Sequence, residues 1–131
     1  MKRIGLVITI GLTLLLSGCF NIDSIGKDFE KAGYTVSENS SFVSSVVTAL
    51  SDDDVEVEVY SYTNGKDAVA VVIDFDDEAD IATSFETHVF FMSYITAGYE
   101  MDELTRDNFV ILPITASDAT AQEMIDVFQG N

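Results

Sequence analysis

The chain has 131 residues, with 23 aspartates and glutamates against six lysines and arginines, for a formal charge of −17 at pH 7. That balance repels phosphate backbones and excludes a nucleic-acid partner, while a single cysteine excludes a disulfide framework or a cysteine-rich metal site. No cofactor is expected, and the charge favours basic partners or cations.

Lys2 and Arg3 precede an apolar run from Ile4 to Leu16, which ends in Leu16-Ser17-Gly18-Cys19. The run is too short for a settled transmembrane helix and has the basic start and small-residue exit of a secretory signal. Its Leu-Ser-Gly-Cys ending resembles the lipobox of bacterial lipoproteins. The resemblance implies acylation of Cys19, cleavage before it, and a lipid anchor holding the protein on the extracytoplasmic face of the cell membrane. The chain then divides into a signal peptide, 1–18, and one small acidic domain, 19–131.

Without the leader, only Lys27, Lys31, Lys66 and Arg106 remain against all 23 acids, a formal charge of −19 on 113 residues. Lys27 and Lys31 stand four apart and would share one helical face close to the anchor, the face best able to tolerate a bilayer. Almost no Ser/Gly/Pro tether separates Cys19 from the first helical pattern, so the domain should ride close to the membrane.

Ile22, Ile25, Phe29 and Ala32 recur at helical spacing, with Gly33 as a left-handed cap. Tyr34 to Ser37 reads as a brief strand, and Phe42, Val43, Val46, Val47 and Leu50 as a second helix. After Asp52-Asp53-Asp54, the alternation from Val55 to Tyr60 predicts a strand with one buried face. Asn64-Gly65 marks a hairpin, with Val69 to Ile73 returning. A two-residue turn would mix valines with glutamates on one face. A three-residue loop or bulge instead pairs Val55, Val57 and Val59 with Phe75, Ile73 and Val71.

Asp76 or Asp77 is expected to cap a long helix running to about Ala97, with Ile81, Phe85, Val89, Met92 and Ile95 facing the sheet. Phe90 and Tyr94 fall on roughly the opposite side. Gly98 to Asp107 reads as a polar connection, Phe109 to Leu112 as a last strand, and Ser117 as the cap of a final helix carrying Ala121, Met124, Ile125 and Phe128. The order predicts an α+β fold: a mainly antiparallel sheet of about four strands with helices packed mostly on one face.

Two candidate binding surfaces emerge. One is the sheet face carrying Tyr60 and Tyr62 with Glu56 and Glu58, expected to be wet and suited to a basic peptide or a sugar. The other is the second aromatic side of the long helix, Phe90 and Tyr94. Carboxylates at Asp74, Asp76 and Asp77, with Asp52 and Asp54 at the same end of the hairpin, are weak candidates for a loosely held divalent cation. An EF-hand loop from Asp74 fails, because Ala79 and Phe85 stand where Gly and Glu are required. His88 lacks a nucleophile or further ligands at a recognisable spacing, and no Gly-x-Ser-x-Gly elbow or phosphate loop is present. The sequence therefore favours a non-enzymatic, lipid-anchored binding module. A weak divalent-cation-binding surface protein and a small carboxylate-based envelope hydrolase are the alternatives.

Overall fold

A computed structural model of the chain describes residues 21–37, 40–65 and 68–130. The expected signal peptide, Cys19 and Lys66 lie outside the described residues, as does the side chain of Phe42 in the second helix. The described part is an α+β fold in which six helices surround a five-stranded antiparallel sheet of order β1-β2-β3-β5-β4. The elements are α1 (Ile22–Lys31), β1 (Thr35–Val36), α2 (Ser40–Ser51), β2 (Val57–Thr63), β3 (Val69–Phe75), α3 (Ala79–Thr87), α4 (Val89–Thr96), α5 (Met101–Leu104), β4 (Thr105–Arg106), β5 (Phe109–Ile114) and α6 (Asp118–Gln129).

Local chemistry sets most of these boundaries. The Asn21 side chain accepts the Ser24 N–H at the start of α1, and the chain leaves the helix through Gly33 at φ +94°. Asp54, at φ +60°, ends the turn after α2 and lets the Val55 N–H reach back to the Leu50 carbonyl at 3.0 Å. Ser117 caps α6 by accepting the Thr120 N–H, and Ala121, Met124, Ile125 and Phe128 are all buried, as the 3.6-residue period requires.

The hairpin keeps the predicted pairing of faces but not the predicted register. Val57 pairs with Phe75, Val59 with Ile73 and Ser61 with Val71, two residues away from the sequence-based alignment. The connection runs from Asn64 to Ala68 and is neither a two- nor a three-residue loop. Thr63 makes it: its hydroxyl donates to the Ala68 carbonyl at 2.8 Å and accepts the Gly65 N–H at 3.2 Å. A shift of two leaves every side chain on its intended face, so hydrophobic alternation alone does not choose between these registers.

Three further departures place the candidate sites. First, a fifth strand, β4, pairs with the start of β5 (Thr105 with Val110, Arg106 with Phe109) inside the stretch expected to be a polar connection. Second, the long helix is broken. His88 is extended (φ −101°, ψ 125°), so α3 and α4 are separate helices with different phases. Ser84 and Thr87 bond back to the carbonyls of Asp80 and Thr83, a pattern that bends helices, and the His88 Nε2 sits 3.0 Å from Asp53 Oδ2. After the break Phe91 enters the core, fully buried against Phe75 and Phe85, while Val89, Met92 and Ile95 turn outward.

Third, both faces of the sheet are covered. Phe75 meets Phe91 of α4 on one face, and on the other Tyr62 stacks on Phe29 of α1, with ring centroids 4.9 Å apart and planes within 4°. α1 packs against α6 on that second side. Between the layers, β3 and β5 are buried almost from end to end.

Candidate functional site

The expected wet tyrosine face is split by this packing. Tyr62 is only 6% exposed, and burial together with the nearby Asp23 charge raises its hydroxyl above the ordinary phenol range. It is a core residue. Tyr60, two residues back along the strand, is half-buried and donates its hydroxyl to Glu58 at 2.9 Å. Burial and that carboxylate push the Tyr60 hydroxyl up to about 12.

Beyond Tyr60 the same face opens into an acidic basin of about 750 Å³, whose walls include Asp54, Glu56, Glu58, Asp74 and Asp76. Register explains part of the crowding: Glu58 and Asp74 are directly paired across β2 and β3, and the Asp76 N–H donates to the Glu56 carbonyl. The carboxyl of Asp74 is shifted upward. Burial first, then the charges of Glu58 and Asp76, raise its carboxyl above the ordinary carboxylate range. Asn108 relieves it in part, donating through Nδ2 to Asp74 Oδ1 at 2.6 Å and to the Phe75 carbonyl at 2.9 Å.

Of the other proposed ion ligands, Asp77 accepts the Ala79 N–H at the start of α3, and Asp52 lies exposed in the turn after α2. Among the described residues no group of three or more His, Cys, Asp or Glu side chains is placed to hold a metal ion.

The aromatic side of α4 is also redrawn. Phe90 and Tyr94 are half-buried against the core and are not an outward-facing pair. Tyr94 donates its hydroxyl to the Pro113 carbonyl at 2.6 Å, and burial together with Tyr99 pushes that hydroxyl up to about 12. Tyr94 forms one wall of a second cleft, of about 650 Å³, between the end of α4 and the start of α6. Gly98, at φ +110°, turns the chain so that its own N–H reaches the Ile95 carbonyl and the Tyr99 N–H reaches the Tyr94 carbonyl, both at 3.0 Å. This is the two-bond helix ending that left-handed glycine permits, and it returns the Tyr99 ring to 5.9 Å from Tyr94 at 51°. Glu103, Asp118 and Gln122 complete the rim. Tyr99 and these three are not among the sequence-based candidates; Gly98 directly after an aromatic helix was the signal that could have found the tyrosine pair.

A third depression, about 580 Å³, lies between α1 and the β1 edge, with Lys27, Glu30, Val36 and Tyr60 on its walls. Lys27 and Tyr60 thus line one depression. No family model, curated protein or solved structure matches this chain. Among the described residues no helix is long and apolar enough to cross a membrane.

Proposed function

We propose that the protein is a lipid-anchored, extracytoplasmic binding module without catalytic activity, tethered to the cell membrane through acylated Cys19, and that it holds a basic protein or peptide in the acidic basin. The observation that carries the binding half of this reading is the set of five carboxylates on the basin walls with no lysine or arginine among the residues that line it. Crowded carboxylates raise each other's energy when ionised, and a cationic side chain arriving between them recovers that cost. The Leu16-Ser17-Gly18-Cys19 ending supports the anchor.

Two measurements test the two halves. Mass spectrometry of protein from its native envelope should find a diacylated Cys19 at the amino terminus, and Cys19→Ala should leave the leader attached and unlipidated. Calorimetric titration of the micelle-solubilised protein with a lysine-rich peptide should show binding that weakens at least ~10-fold in Glu58→Gln/Asp76→Asn, the loss of about 1.4 kcal/mol expected for removing two close charges. The charge-matched Asp28→Asn/Glu86→Gln should retain most of the affinity. Equal weakening by both pairs would reduce the effect to net charge and overturn the basin as the site.

A second reading, a carboxylate-based envelope hydrolase, draws on the raised Asp74 carboxyl in an open basin. It requires hydrolysis of cell-wall glycan that Asp74→Asn abolishes.

A further inference from the structure

We infer that the cleft between α4 and α6 is a binding site for an organic ammonium group, separate from the acidic basin. The two tyrosine rings are inclined by 51° with centroids 5.9 Å apart. Two tilted ring faces suit a compact cation touching both, whereas a flat sugar ring lies against one at a time. One residue is held at its ring and the other at its backbone. Tyr94 is pinned by its hydroxyl to Pro113 in β5, and Tyr99 by its backbone to Tyr94 through the Gly98 turn. The partners needed for recognition are therefore set before a ligand arrives, which keeps the ordering cost of binding low.

The charge at the rim is available. Asp118 lies in the first turn of α6, but Ser117, not Asp118, caps that helix, and the Asp118 carboxylate takes no hydrogen bond or ion pair from the described residues. The Tyr99 hydroxyl likewise has no hydrogen-bond partner among them. Glu103, the other acid of the cleft, spends one oxygen weakly on the Glu100 N–H, at 3.4 Å. Two aromatic walls, one uncommitted carboxylate and a second lightly held one form the combination that recognises alkylammonium groups through ring faces and Coulomb attraction together.

The test is calorimetric titration of the full-length protein in neutral-detergent micelles at about 0.15 M salt, where long-range attraction to an acidic surface is screened. The probes are choline, its uncharged tert-butyl isostere and N-acetylglucosamine. Choline should bind, and the isostere should bind at least ~10-fold more weakly because it keeps the shape and loses the charge. Asp118→Asn, an exposed change that leaves Ser117 to cap the helix, should weaken choline at least ~3-fold, and Tyr99→Ala at least ~10-fold. Tyr99→Phe should retain most of the affinity, since the ring face and not the hydroxyl makes the contact. Glu58→Gln/Asp76→Asn should leave choline unaffected, so the cleft and the basin stand or fall separately. Displacement of choline by phosphatidylcholine vesicles assigns the group to a lipid headgroup, displacement by tetralysine to a peptide side chain, and displacement by neither to a free amine. Absence of choline binding, equal binding of the isostere, preference for N-acetylglucosamine, or indifference to both Asp118→Asn and Tyr99→Ala would each overturn the site.

Discussion

Replacing Tyr62 by alanine separates a surface tyrosine from a core one. The ring is 6% exposed and lies flat on Phe29, so truncation withdraws the face that joins α1 to the sheet. A buried aromatic side chain removes about 150 Å² or more from water, and at about 25 cal/mol per Å² its loss costs roughly 4 kcal/mol, within the ~3–5 range of large aromatic truncations. For a domain of this length that corresponds to a melting temperature lower by about 15 °C, or a urea midpoint lower by roughly 2 M. Tyr62→Phe tests the other half: the hydroxyl has no hydrogen-bond partner among the described residues, so its removal should change stability by no more than about 0.5 kcal/mol. Urea unfolding followed by circular dichroism measures both variants. A loss below about 1 kcal/mol for Tyr62→Ala would mean the ring sits in water, and the α1 packing described above would be wrong.

Phe91→Ala should cost about 3–5 kcal/mol and Met92→Ala less than about 1, measured by the same urea midpoints; the reverse order would restore one continuous helix through His88. Asp74→Asn should stabilise the protein at pH 7. Because the folded state raises the Asp74 carboxyl above its ordinary value of 3.8, the folded state binds the proton more tightly, and wild-type stability from this group is full below that value and lost as pH rises through the raised one. The advantage of the variant should therefore shrink as titration calorimetry or thermal melts move from pH 7 to below the ordinary carboxylate range, and a variant less stable than wild type at pH 7 contradicts the crowding by Glu58 and Asp76. Ser117→Ala should cost about 1 kcal/mol in thermal unfolding through loss of the α6 cap.

The α+β class, the central hairpin, the first helix and the last helix with its Ser117 cap were readable because each is governed by periodicity or by a cap within a few residues. What failed depends on partners far along the chain. The break at His88 is tied to Asp53, 35 residues earlier, and nothing local in Thr87-His88-Val89 announces a change of phase. Resetting that phase exchanged Val89, Met92 and Ile95 for Phe90, Phe91 and Tyr94 as the inward set.

Sheet alternation correctly put Tyr60 and Tyr62 on the face of the glutamates, yet alternation does not say which helix covers a face. Phe29 covers one end and leaves Glu58 and Asp74 open at the other. β4 is two residues long and carries no strand pattern of its own. Of the second cleft, only Tyr94 stood out in advance; Asp118 reaches it because β5 and the turn before α6 bring the two helix ends together.

The sheet ends on both sides in strands only two residues long, β1 and β4, although its interior strands run six or seven. A neighbouring copy that met β1 or β4 itself would find room for a couple of backbone hydrogen bonds, too few to hold a foreign strand. Val36, 77% exposed on one of these rims, would otherwise be an apolar invitation to such pairing. Edge-to-edge zipping through the two rim strands would thus stop after a step or two, whereas the stretches of β2 before Tyr62 and of β5 after Val110 have no strand along their outer side among the described residues.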